Sequence, residues 1–180
     1  MKTLLLACAI VLVAQPVLAT PGGLIGVYSD QAGTNCGYSP VFGVSSVYVV
    51  HTGFAGATSS RFKVDFSGVV DPFISETSTI PILCISGDCT GLYGGCLAPP
   101  VLVVTLSFFD QNLTPACTPV TVVPRPDSQS GTIEVVDCND VTLIGSGGVL
   151  WWNGGEDTCE PCITTPTEEQ SWGRIKAFYQ

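Results

Sequence analysis

Cys159-Glu160-Pro161-Cys162 has the spacing of a redox dithiol. Such a pair is reactive when a helix N-terminus lowers the pKa of its first thiol. Here Glu156, Asp157 and Glu160 crowd the motif, and their charge would raise the thiol pKa instead. The expectation is a structural disulfide. Zinc would need further nitrogen or thiolate ligands, and the chain has one histidine. That residue, His51, would also have to serve any Ser–His–Asp triad. The nearest approach to a nucleophile turn is Gly145-Ser146-Gly147, which lacks the Gly-x-Ser-x-Gly spacing, so His51 reads as a strand residue.

Two further groups could bind without catalysing. Asp137, Asn139 and Asp140 place three oxygen donors within four residues, with Glu156 and Asp157 as a second cluster. Calcium takes oxygen-rich loops of this kind, although turn-forming Asx side chains account for the pattern equally well. No motif calls for a resident cofactor, and calcium is the one ion the sequence offers a place. Trp151 and Trp152, with Tyr28 and Tyr93, could present an aromatic platform to a sugar ring. Neighbouring strand residues point to opposite faces, so at most one of the two tryptophans faces outward.

Residues 1–19 read as a secretory signal peptide: a basic start, an apolar run from Leu4 to Ala14, and Val17-Leu18-Ala19 before the cleavage point. Leu5-Leu6-Ala7-Cys8 has the letters of a lipobox, but the apolar run continues past Cys8, which argues for cleavage after Ala19. The apolar stretch is short for a membrane span and no second one follows. After cleavage the basic residues are Arg61, Lys63, Arg125, Arg174 and Lys176, against fifteen acidic ones. That balance excludes nucleic acid and other polyanions, which need clustered Lys and Arg. It suits a secreted or cell-surface protein whose partner is a protein or a glycan.

Cysteines besides Cys8 number eight of the nine: Cys36, Cys84, Cys89, Cys96, Cys117, Cys138, Cys159 and Cys162. An even number in an oxidising compartment predicts four bridges. Cys117 and Cys138 flank a strand–turn–strand and are expected to pair across it. Two of Cys84, Cys89 and Cys96 are expected to pair locally, with the third reaching Cys36.

Short strands are expected over 24–29, 44–52, 60–66, 79–85, 101–109, 120–123, 132–137, 141–144 and 149–152. Within 60–66, Phe62, Val64 and Phe66 alternate with Arg61, Lys63 and Asp65, the pattern of a strand with one wet face. Within 44–52, Val47, Val49 and His51 share one face and Tyr48 and Val50 the other. Pro81 assigns its strand to an edge or a bulge. The near-continuous apolar run over 101–109 predicts a central strand covered on both faces, and 86–100 reads as a Gly/Cys-rich loop. No helix-period segment long enough for a βαβ unit occurs, so an antiparallel β-sandwich is expected over 20–163. Residues 164–180 read as a polar linker and a short helix, with Trp172, Ile175 and Tyr179 on one stripe. That stripe would either dock on the sandwich or be recognised by an export or surface partner.

The strand pair over 44–66 resembles those of immunoglobulin-like and cohesin-like sandwiches. The chain also resembles secreted bacterial proteins of uncharacterised role. This likeness lies in Ile25-Gly26-Val27-Tyr28-Ser29-Asp30, in Val123-Pro124-Arg125-Pro126 between Cys117 and Cys138, and in Ser171-Trp172-Gly173-Arg174-Ile175-Lys176-Ala177-Phe178-Tyr179. The resemblance implies secretion and an all-β fold and brings no activity with it. The sequence thus leads to a non-enzymatic extracellular or cell-surface protein of structural, adhesive or partner-binding type. A carbohydrate-binding module, calcium-assisted through the acidic loop, is the alternative.

Overall fold

The computed structural model describes residues 21–154 together with Thr158 and Cys159. The expected signal peptide, Cys162 and the linker and helix over 164–180, with Trp172, Ile175 and Tyr179, lie outside the described residues. Those described are all-β, with no helix among them. In chain order the strands are β1 (Leu24–Tyr28), β2 (Gly37–Tyr38), β3 (Gly43–Thr52), β4 (Ala57–Asp65), β5 (Phe73–Thr77), β6 (Ile82–Ile85), β7 (Asp88–Leu97), β8 (Val101–Asp110), β9 (Thr118–Val123), β10 (Ile133–Asp137), β11 (Thr142–Gly147) and β12 (Val149–Trp152).

Hydrogen bonds join ten of them in the order β2-β12-β9-β4-β10-β11-β1-β3-β8-β5, and β7 branches from β4 with β6 on its far side. The path folds over on itself. Phe108 on β8 and Trp152 on β12, near its opposite ends, meet edge to face with ring centroids 4.9 Å apart. One core fills the fold, taking Ile25, Val47, Val49, Leu106 and Phe108 from one arm and Phe62, Val64, Val120, Val135 and Leu150 from the other. A β-rich chain has this option because each strand offers one apolar face, and two such faces exclude water only by meeting.

The alternation over 60–66 behaves as the sequence indicates. Phe62 and Val64 are buried, while Arg61 pairs on the outer face with Asp127 at 3.1 Å and Glu134 at 3.0 Å. Val47, Val49 and His51 share the core face of β3, and Tyr48 and Val50 pack in a second small cluster with Tyr28, Cys36, Leu102 and Trp151. Strand β6, beginning one residue after Pro81, pairs among the described residues with β7 alone and is an edge strand there.

Four expectations are corrected. The sheet is mixed rather than purely antiparallel: β1 runs parallel to β11, and β12 parallel to β2. These contacts join segments more than a hundred residues apart, which turn spacing cannot foretell. The expected loop over 86–100 contains β7, a ten-residue strand paired with both β4 and β6. Its turn is Ser86-Gly87, both at positive φ (51° and 86°), which is the backbone twist a two-residue hairpin favours. Strand β8 is covered on one face only, since Leu102, Thr105, Ser107 and Phe109 are half-exposed. Strands β2 and β5 were not foreseen.

The disulfides correct the fourth. Cys96 bonds Cys138 and Cys117 bonds Cys159, so Cys117 and Cys138 do not pair across their hairpin. Cys84 bonds Cys89 locally, as expected of that loop. Cys36 is also disulfide-bonded, but not to the third cysteine of that group, since Cys96 is taken by Cys138.

Candidate functional site

The chain crosses from one arm to the other between β5 and β6 in four residues, 78–81. Ser78 anchors the crossing: its hydroxyl donates to the Val103 carbonyl and accepts from the Ile80 amide at 3.2 Å. Among the described residues both flanking strands are edges, β5 pairing with β8 alone and β6 with β7 alone. The arms remain parted there around a cavity of about 420 Å³, lined by Glu76 and Thr77 from β5, by Ser78, Ile80 and Pro81 of the crossing, by Ile82, Leu83 and Cys84 from β6, and by Val104.

Register explains which side chains face the cavity. Glu76 lies opposite Leu106, a core residue of β8, so its side chain turns inward, between the arms. Ile80, Ile82 and Cys84 pack against the edge of the core. Glu76 is thus a carboxyl among aliphatic neighbours, and burial pushes its pKa up. Its Oε2 is shielded from water and has no hydrogen-bond partner among the described residues. A buried acceptor without a donor is costly, so a donor brought into the cavity would bind favourably.

The outer side of the same edge is apolar. Leu83 (67% exposed), Ile85 (66%) and Leu92 (58%) stand on neighbouring positions of β6 and β7. The directly opposed Cys84–Cys89 bridge holds β6 in register, with Cα atoms 4.1 Å apart. Strand β6 therefore offers one rigid, uncharged row of backbone groups, the kind of edge that accepts a further strand.

The residues singled out from sequence lie elsewhere and are not brought together. His51 is fully buried in the core, its Nε2 2.7 Å from the Gly22 carbonyl and its Nδ1 2.9 Å from the Tyr93 hydroxyl. Burial lowers its pKa to about 4, so the ring is neutral at ordinary pH. Asp137 spends Oδ1 on the backbone amides of Asn139 and Val141, both at 2.8 Å, and these amides hold its carboxyl below the usual range. With Asp140 at a φ of 61°, the 137–141 segment has the geometry of an Asx-stabilised turn. No cluster of three or more His, Cys, Asp and Glu that could hold a metal ion occurs among the described residues. Trp152 is wholly buried and Trp151 half-buried, so a sugar platform would rest on Trp151. Cys159 is bonded to Cys117, so the structural disulfide expected between Cys159 and Cys162 is corrected, and no redox dithiol forms there either.

Glu76, Ile82 and Leu83 escaped the sequence reading. Pro81, as an edge signal, pointed to β6; the mixed composition of Phe73–Thr77 hid the strand carrying Glu76. Comparison with protein-family models, with curated proteins and with solved structures finds no match in any of the three.

Proposed function

We propose that this is a secreted extracellular or cell-surface protein that acts by binding a partner, on an immunoglobulin-like or cohesin-like sandwich framework. The observation that carries the reading is the groove between β5 and β6, which among the described residues has two open edges, an aliphatic lining and one buried carboxyl oxygen lacking a donor. Rigid edges with apolar margins bind protein segments through main-chain hydrogen bonds, with adjoining pockets adding side-chain specificity. Leu83, Ile85 and Leu92 lie in solvent beside the cavity, where a partner would cover them.

The extracellular part of the reading rests on the amino-terminal segment and the cysteines. Residues 1–19 have the composition of a signal peptide, and three disulfides stand among the described residues. No helix among these residues is long and apolar enough to cross a membrane.

A pull-down from the organism's own envelope and culture medium tests the reading. The mature chain should capture a defined protein, and the surface variant Leu83→Lys/Ile85→Lys should lose it while keeping the same melting temperature. Equal capture by both forms would remove the groove from the function.

A further inference from the structure

We infer that the groove takes an extended segment of a partner protein in which a basic residue stands between two apolar ones. The segment adds as a strand to the open edge of β6 and seats its cationic head against Glu76. The inference rests on the groove being a binding site and names the chemistry of its partner.

Register fixes which backbone groups await that strand. The Leu92 amide donates to the Pro81 carbonyl at 2.8 Å, so positions 81 and 92 form a hydrogen-bonded pair. Hydrogen-bonded and non-hydrogen-bonded pairs alternate along an antiparallel ladder. The β6–β7 ladder runs without a shift, so Leu83–Thr90 and Ile85–Asp88 are hydrogen-bonded pairs, whereas Ile82–Gly91 and Cys84–Cys89 are not. The amides and carbonyls of Ile82 and Cys84 therefore point away from β7, toward the edge that no strand covers among the described residues.

The same register sorts the side chains of an added strand. A residue opposite Cys84 shares its face and enters the cavity, while its two neighbours lie opposite Leu83 and Ile85 on the outer face. Leu83 and Ile85 are exposed and favour apolar groups beside them. Within the cavity the charged lining group is Glu76, whose Oε2 has no partner among the described residues. A basic side chain supplies both the missing donor and the opposite charge. The chain as a whole carries a net charge of −9, which draws a cationic segment toward it.

A second copy of this chain fits the groove poorly. Its β6 would bring Ile82 and Cys84 to the cavity and no cation. Arg61 and Lys63 lie on β4, which has neighbours on both sides, and Arg125 is held by Asp127 and Thr90.

Titration of the full mature chain with the peptide acetyl-Thr-Val-Lys-Val-Thr-amide, read by amide hydrogen exchange, tests this. Protection should rise at the Ile82 and Cys84 amides and change little at Leu83 and Ile85, which already bond β7. Norleucine in place of the lysine should weaken binding about tenfold or more. Glu76→Gln should weaken the lysine peptide similarly, and Glu76→Lys should prefer the peptide with glutamate at that position. Equal binding of the lysine and norleucine peptides overturns the inference, as does protection of Ile82 and Cys84 in the free chain, since the edge would then be covered. Butylamine binding as tightly as the peptide, with neither amide protected, overturns it in favour of a small amine. Partner capture is read separately. If capture depends on Leu83 and Ile85 but the lysine makes no difference, only the basic-strand chemistry falls. If the peptide binds as described but capture ignores the groove, the partner-binding reading falls.

Discussion

The imidazole Nδ1 of His51 lies 2.9 Å from the Tyr93 hydroxyl, joining β3 to β7 through the core. The Gly22 carbonyl beside Nε2 can only accept, so Nε2 carries a proton. In the neutral ring Nδ1 is then an acceptor, and it competes with Ser60 Oγ for the one phenolic proton of Tyr93. Tyr93 Oη is also 2.7 Å from Ser60 Oγ, and Phe54 stacks on the imidazole at 3.8 Å. An ionised ring would donate at both nitrogens, and Tyr93 would pass its proton on to Ser60.

Stability should therefore fall in mild acid. Burial lowers the His51 pKa from 6.5 to about 4. Its contribution is complete above pH 6.5 and is lost as pH falls toward the folded value, because the unfolded chain takes up the proton first. The loss amounts to about 3 kcal/mol by pH 4. Urea unfolding at pH 7 and pH 4.5 should show most of it, and His51→Asn should flatten the difference while lowering stability at pH 7.

The second prediction concerns the tryptophans. Trp152 touches Tyr38 at 4.8 Å and Phe108 at 4.9 Å between ring centroids, and is wholly buried. Trp152→Ala should cost about 3–5 kcal/mol in chemical denaturation. Trp151→Ala, at a half-buried site, should cost clearly less. Equal losses would mean that the two residues do not divide between core and margin.

The third concerns the bridges. Non-reducing peptide mapping should recover Cys84–Cys89, Cys96–Cys138 and Cys117–Cys159. Cys96–Cys138 and Cys117–Cys159 each join residues 42 apart. Removing either with paired alanines should cost about 2–4 kcal/mol. Recovery of Cys117–Cys138 would contradict the pairing.

The fourth concerns Asp71, a buried carboxylate that organises the turn after β8. Its Oδ1 accepts from the Gln111 amide at 2.8 Å and its Oδ2 from the Thr114 amide at 3.2 Å and the Thr114 hydroxyl. Burial alone would raise its pKa, but the Thr114 hydroxyl and the backbone amides outweigh it and leave the carboxyl lowered. Its contribution is present above the ordinary carboxylate range and disappears as pH falls through the lower folded value. Asp71→Asn should cost about 1–3 kcal/mol at pH 7 and sharpen exchange differences in 110–114.

Strands with strong contrast between faces were legible. Phe62 and Val64 against Arg61 and Lys63 declare both the strand and its buried side, and β1, β3, β4 and β8 to β12 all fall where alternation or turn chemistry indicates. Strand β7 was not legible because its inward residues include Cys89 and Gly91, which offer little hydropathy contrast, and its cysteines and glycines suggested a stapled loop. Its Ser86-Gly87 turn was the available signal. Of the groove, only Pro81 announced an edge; Glu76 carried no signal, since its meaning depends on the strand opposite.

The sequence by itself determined an all-β, disulfide-rich chain, because side-chain alternation and cysteine content are properties of single segments and of composition. Only the tertiary structure decided which cysteines meet, which strands run parallel and where the two arms stay apart. Those outcomes depend on contacts between residues tens to more than a hundred positions apart. Such contacts are selected by joint burial of distant faces, which no local pattern encodes.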